Sequence, residues 1–131
     1  MMQQMLLNLI LNAADALDGP GEIVLRAGPV RVLPTHLILG PAPASGYVFV
    51  AVQDTGCGIA PEVLPRIFEP FFTTKSFSSR HGTGLGLYTV YELAKELGHG
   101  LAVESAVGKG SIFTIYLPIA DAAKEEDAKR A

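Results

Sequence analysis

Apolar residues near the start of the chain recur at helical steps. Leu6, Leu9 or Ile10, Ala13 and Leu17 fall on one face of Met1 to Leu17, predicting an amphipathic helix that Asp18-Gly-Pro-Gly21 stops. The period then changes to two. Ile23 and Leu25 alternate with Glu22, Val24 and Arg26, predicting a strand over Glu22 to Leu33 that bends at Gly28-Pro29. Pro34 to Gly46, with three prolines and two glycines, reads as a loop between antiparallel neighbours. Val48, Val50 and Val52 alternate with Phe49, Ala51 and Gln53 in a second strand that ends on Asp54. Pro61 to Pro65 suggests a short helix entered through a proline at its first turn. Leu87, Val90, Ala94 and Leu97 restore the helical period, with Gly98 as the natural stop. Leu101 to Val107 and Ser111 to Leu117 alternate around Gly108-Lys-Gly110, a hairpin signal. Asp121 to Ala131, rich in alanine and mixed charge, reads as a helix extension or frayed linker with solvated charges.

At 131 residues the chain suffices for one core and is too short for two ordinary domains. The expected division is a folded unit over residues 1–118 and a tail over residues 119–131. A net charge of −3 leaves no basic footprint for nucleic acid, so that class of partner is excluded. Cys57 is the single cysteine and forms no internal disulfide, which fits a reducing compartment. No apolar run approaches the roughly 18 residues of a membrane span, so no direct membrane contact is expected.

Three stretches carry candidate chemistry, and a fourth could cover it. Asp54-Thr-Gly-Cys-Gly-Ile59 places a carboxylate at the end of a buried strand, beside glycines that leave room for a flat, purine-sized ligand. Its plainer meaning is a turn in which Gly56 and Gly58 supply positive φ angles. Asn8, Asn12 and Asp15 align at i, i+4 and i+7 on the first helix. Amide oxygens suit a phosphate-bound Mg²⁺, although a helical Asn is more often simply solvated or a satisfied core amide. Gly82-Thr-Gly-Leu-Gly-Leu87 opens a helix and frees the N–H groups of Leu85, Gly86 and Leu87 for an anion, unless these glycines serve only close packing. Phe68-Glu-Pro-Phe-Phe-Thr-Thr-Lys75 reads as an aromatic anchor for a mobile lid running to about His81.

Taken in chain order, these stretches resemble histidine-kinase catalytic domains. Leu7 to Leu17 resembles the N box, Asp54 to Gly58 the G1 box, Phe68 to Lys75 the F box, Gly82 to Leu87 the G2 box, and Gly108 to Pro118 the closing strand pair. Each box alone is weak, and their joint register makes chance a poor explanation. The resemblance implies a two-layer α/β sandwich of the Bergerat type: a mixed, mostly antiparallel sheet, helices on one face and a mobile ATP lid. It implies ATP and Mg²⁺ as ligands. Asp54 would accept from the adenine amino group, with a water also held by Ser111. Asn12 would coordinate Mg²⁺ with Asn8 close by, and the Leu85, Gly86 and Leu87 amides would hold phosphates. Asp15, Gly56, Gly58, Ile59, Gly82, Thr83 and Gly84 complete the implied ATP site.

Related ATPases of the superfamily carry a water-activating Glu where this chain has Asn8, and an amide accepts no proton at neutral pH. The implied activity is therefore protein-histidine kinase, passing the γ-phosphoryl group to an external histidine, with Asn8, Asn12, Lys75 and Arg80 as its catalytic residues. Many sensor kinases have a cation where Asp15 stands, so the γ-phosphate cation is expected from Lys75, Arg80 or His81. Asp15-Ala-Leu17 and the FEPFFTTK segment look like the nitrogen-regulation type. None of His36, His81 and His99 is followed by an acid as the family's acceptor histidine is. The strand and helix start that usually precede the N box are missing too. The expectation is an N-terminally truncated, cytoplasmic fragment that is incomplete alone, whether or not its parent is membrane-anchored. Its expected partners are the parent's dimerisation and phosphoacceptor domain and a response-regulator receiver domain. The competing reading is a nucleotide-regulated protein-binding module or serine kinase of the anti-sigma-factor type.

Overall fold

The computed structural model describes residues 2–17, 19–70 and 86–119. Helix α1 (Met2–Ala16) is followed by β1 (Ile23–Val30), β2 (Leu37–Leu39) and β3 (Tyr47–Asp54), then by α2 (Gly86–Leu97), β4 (Gly100–Ala106) and β5 (Gly110–Pro118). The strands form one five-stranded sheet in the order β1-β3-β5-β4-β2. Among the described residues all of its pairings are antiparallel, in keeping with the mostly antiparallel sheet expected. Parallel neighbours need a crossover that brings the chain back to the same end. Here the like-directed strands β1, β5 and β2 are kept apart by β3 and β4.

Both helices pack on one face. Met5, Leu9 and Ala13, one turn apart on α1, meet Val90 and Ala94 of α2 and the inward residues Val52, Leu101, Val103, Phe113 and Ile115 of the sheet. The result is the two-layer α/β sandwich expected from the motifs. Among the described residues the other face carries no helix. It holds a shallow cleft lined by Arg26, Phe49, Gln53 and Tyr116, on the side of the sheet opposite Asp54.

The helix ends follow their sequence signals. At α2, the Gly98 N–H donates to the Lys95 carbonyl and the His99 N–H to the Ala94 carbonyl, with Gly98 at φ 73°. These paired bonds satisfy carbonyls that the helix itself leaves open. Two other segments depart from expectation. β1 runs straight through Gly28 and Pro29, which pair with Phe49 and Val48, because an edge strand tolerates a residue without an N–H. Residues 34–46, expected to be loop throughout, contain β2, which crosses to the far edge and pairs with β4. Three residues are too few to show a period. The proposed helix at Pro61 is instead a single 3₁₀ turn, Leu64–Arg66, with Pro65 in its opening positions.

Candidate functional site

The register of the sheet sets Asp54 in a row. Asp54 of β3 pairs with Ile23 of β1 on one side and Ser111 of β5 on the other, and Ser111 pairs in turn with Ser105 of β4. Directly paired residues project to the same face. Asp54, Ser111 and Ser105 therefore lie on the helix side, two positions beyond the core residues Val52, Phe113 and Val103. Asp54 is only 2% exposed and Ser111 only 4%. Oδ1 of Asp54 accepts the Gly56 N–H at 2.8 Å, whereas Oδ2 is buried without a hydrogen-bond partner. An orphaned carboxylate oxygen in the interior costs folding free energy, so such atoms mark places where a donor is expected to arrive.

The loop after Asp54 is sewn down along its length. Thr55 exchanges two bonds with Glu22: its N–H donates to the Glu22 carbonyl at 3.2 Å and its Oγ1 accepts the Glu22 N–H at 2.9 Å. The Cys57 N–H donates to the Ala16 carbonyl at 3.1 Å, capping the end of α1, and the Cys57 carbonyl accepts the Gly108 N–H at 2.8 Å. The Ile59 N–H donates to Ser105 Oγ at 2.7 Å. Cys57 itself has an exposed side chain.

The positive φ considered in the sequence holds for Gly58 and not for Gly56, and both glycines have a further reason that the sequence did not show. A Cβ on Gly56 would lie 2.5 Å from the Ala16 carbonyl oxygen, and one on Gly58 would lie 2.0 Å from that of Ala106. Only Gly58 of the two adopts a positive φ, at 75°. Both allow chain to approach chain, which fixes the loop that carries Asp54.

On α1 the buried stripe of Met5, Leu9 and Ala13 is flanked, roughly 90° round the helix, by half-buried Asn8, Asn12 and Asp15. Asn8 Nδ2 donates to the Gly86 carbonyl at 3.4 Å, tying α1 to the first residue of α2. Asn12, one turn further on, is half-buried and carries a neutral amide oxygen, a donor type suited to a hard cation. Among the described residues no cluster of three or more His, Cys, Asp or Glu is present, so a cation here would draw on amide and ligand oxygens. Gly86 and Leu87 open α2. Lys75, Arg80, His81, Gly82, Thr83, Gly84 and Leu85 lie outside the described residues, as does the rest of the expected lid.

Of the aromatic anchor, Phe68 is half-buried. Its ring meets Phe113 edge-on with centroids 6.3 Å apart and Tyr91 at 6.1 Å, and neighbouring Ile67 is buried in the core. Ser105 is the residue the sequence reading passed over. It occupies an inward position of β4, where a polar residue replaces the alternating apolar ones of Leu101 and Val103, and that break in the pattern was its only signal. His36, assigned no chemistry, places Nε2 3.2 Å from Glu104 Oε1 at an exposed position.

The family description "Histidine kinase-, DNA gyrase B-, and HSP90-like ATPase" matches residues 1–121. The chain belongs to this family. It is 44% identical over 117 residues to the sensor kinase CckA of Brucella abortus (strain 2308), covering 88% of this chain and 12% of that protein. It is 40% identical over 116 residues to the sensor histidine kinase ZraS of Salmonella typhi, covering 88% of this chain and 21% of that one. The domain therefore spans only about an eighth to a fifth of these relatives. Among solved structures, full-length ShkA in complex with AMPPNP superposes with TM-score 0.70 at 33% identity, over 92% of this chain and 22% of that one. The catalytic domain of histidine kinase ThkA gives 0.62 at 30% identity, over 89% and 65% of the two chains. This family chain is thus an ATP-binding domain of the sensor histidine kinase kind. Among its described residues, no helix is long and apolar enough to cross a membrane.

Proposed function

We propose that this domain binds ATP with Mg²⁺ and transfers the γ-phosphoryl group to a histidine on a separate dimerisation domain, as the catalytic unit of a nitrogen-regulation-like sensor kinase. The observation that carries the proposal is the buried, unpaired Oδ2 of Asp54. A carboxylate offers only acceptors, so it matches the exocyclic amine of adenine and rejects the 6-oxo group of guanine. Oδ1, held by Gly56, sets the direction of that contact.

The remaining roles follow the geometry of α1. Asn12 would hold Mg²⁺, which supplies charge neutralisation on the phosphates when bound. Asn8 is already engaged with Gly86 and has no basic atom, so water is left unactivated and ATP is preserved for its acceptor. Transfer breaks the bond between the γ-phosphorus and the β,γ-bridging oxygen and forms a phosphorus–nitrogen bond to the acceptor imidazole, releasing ADP. The cation opposite the γ-phosphate falls to Lys75, Arg80 or His81, with Asp15 contributing none. A response-regulator aspartate is the onward acceptor.

The test is to mix the domain with the helical domain of its parent and labelled ATP. Acid-labile phosphohistidine is expected on the helical domain, and it should be lost with Asn12→Ala. Sustained hydrolysis by the isolated domain, or undiminished label with Asn12→Ala, would overturn the assignment.

A further inference from the structure

We infer that Ser105, which does not border the base itself, enforces adenine selectivity by fixing the direction of the Ser111 hydroxyl proton. The inference rests on the adenine-site reading above and extends it to a residue two strands away from Asp54.

The hydrogen bonds around Ser105 leave one arrangement that satisfies all of them. A serine hydroxyl has one proton and two lone pairs. Ser105 Oγ accepts the Ile59 N–H at 2.7 Å. It lies 3.0 Å from the Gly110 carbonyl oxygen, which can only accept, so the Ser105 proton points there. The remaining contact, 2.8 Å between Ser105 Oγ and Ser111 Oγ, must then be donated by Ser111. This uses its only proton.

Ser111 is 4% exposed and sits opposite Asp54 in the β3–β5 register. With its proton turned toward Ser105, it shows only lone pairs to the base. Asp54 Oδ2 likewise only accepts. Both groups therefore accept, which fits an amino group, directly or through a water, and repels a 6-oxo group. A Ser111 hydroxyl free to rotate would instead donate to a 6-oxo purine and relax that discrimination. Ser105 is thus a positioning residue for selectivity, acting through Ser111, and it also anchors the Ile59 end of the Asp54 loop.

The experiment measures dissociation constants for ADP and inosine diphosphate, with Mg²⁺, by calorimetry on the whole chain. The wild type should prefer ADP. Ser105→Ala should lower the ratio of the two constants by about fivefold, the value of one hydrogen bond gained by the wrong base. Ser105→Thr, which keeps the hydroxyl, should restore it. A purely structural Ser105 would weaken both ligands equally and leave the ratio unchanged, which would overturn the inference. Should Ser105→Ala not fold, Ser111→Ala decides the matter. It lowers the ratio if the Ser111 proton is fixed and leaves it unchanged if that hydroxyl rotates freely. A wild type that binds neither nucleotide brings down the adenine reading and this inference together, whereas ADP preference with an unchanged ratio in the variants brings down the inference alone.

Discussion

Two glycines of the β4–β5 hairpin separate backbone conformation from close approach. Gly108 has φ 79° and an alanine Cβ there would meet nothing within 4 Å; Gly110 has φ 99°, and its Cβ would lie 2.0 Å from the Asp54 carbonyl oxygen and 2.9 Å from the carbon. Gly108→Ala should therefore cost only the left-handed conformation, about 1–2 kcal/mol. Gly110→Ala adds a collision. Ordinary contact begins at 3.4 Å, so β3 and β5 must part by more than 1 Å at the Asp54–Ser111 pair. Losing one or two ladder hydrogen bonds there adds about 1–2 kcal/mol, giving a total of about 3 kcal/mol by the same reasoning. The chain has no tryptophan, so urea unfolding followed by far-UV circular dichroism is the suitable assay. The same strand separation moves Asp54 away from Ser111, so Gly110→Ala should also abolish the thermal shift by ADP while Gly108→Ala retains it. Equal losses of stability in the two variants, with nucleotide response preserved in both, would refute the reasoning.

Phe68→Ala removes the ring that touches both Phe113 and Tyr91; a half-buried aromatic should cost about 2 kcal/mol in urea unfolding, below the range for full burial. A loss under a few tenths would show that the segment is not anchored there. His99 has a buried, unpartnered Nδ1, and burial lowers its pKa from the ordinary 6.5. The unfolded chain therefore takes up the proton first as pH falls, and stability is lost from about pH 6.5 downward while remaining flat above it with respect to this group. Melting temperatures measured from about pH 7.5 to about pH 5.5 should fall more steeply for the wild type than for His99→Phe, and parallel curves would contradict the burial argument.

Much of this architecture was legible because its signals are local. The period running through Leu9 and Ala13, the alternation leading into Asp54, and the glycine stop at Gly98 each report a backbone state directly. β2 was not legible, since a three-residue strand earns its identity only from its partner β4, more than sixty positions away in sequence. The order β1-β3-β5-β4-β2 was hidden for the same reason, although a mostly antiparallel sheet was expected. Within the site, the sequence pointed to Asp54, Asn8 and Asn12 by residue type and spacing. It could not show that Gly56 yields to the end of α1, that Gly58 yields to Ala106, or that Asn8 bonds Gly86, because each depends on segments brought together only by the fold. Ser105 was missed because its only local signal, a polar residue breaking the apolar alternation of β4, does not reveal its contacts with Ile59, Gly110 and Ser111.

The acceptor character of Asp54 decides which base the site takes. In Asp54→Asn the amide oxygen must stay with the Gly56 N–H, which leaves the NH₂ group where Oδ2 now sits, donor facing donor at the adenine amine. Calorimetric titration of the two proteins with ADP and with inosine diphosphate is the most direct measurement. The wild type should bind ADP tightly, and Asp54→Asn should lose that binding and shift its preference toward inosine diphosphate. Unchanged ADP affinity in Asp54→Asn would contradict this role for Asp54.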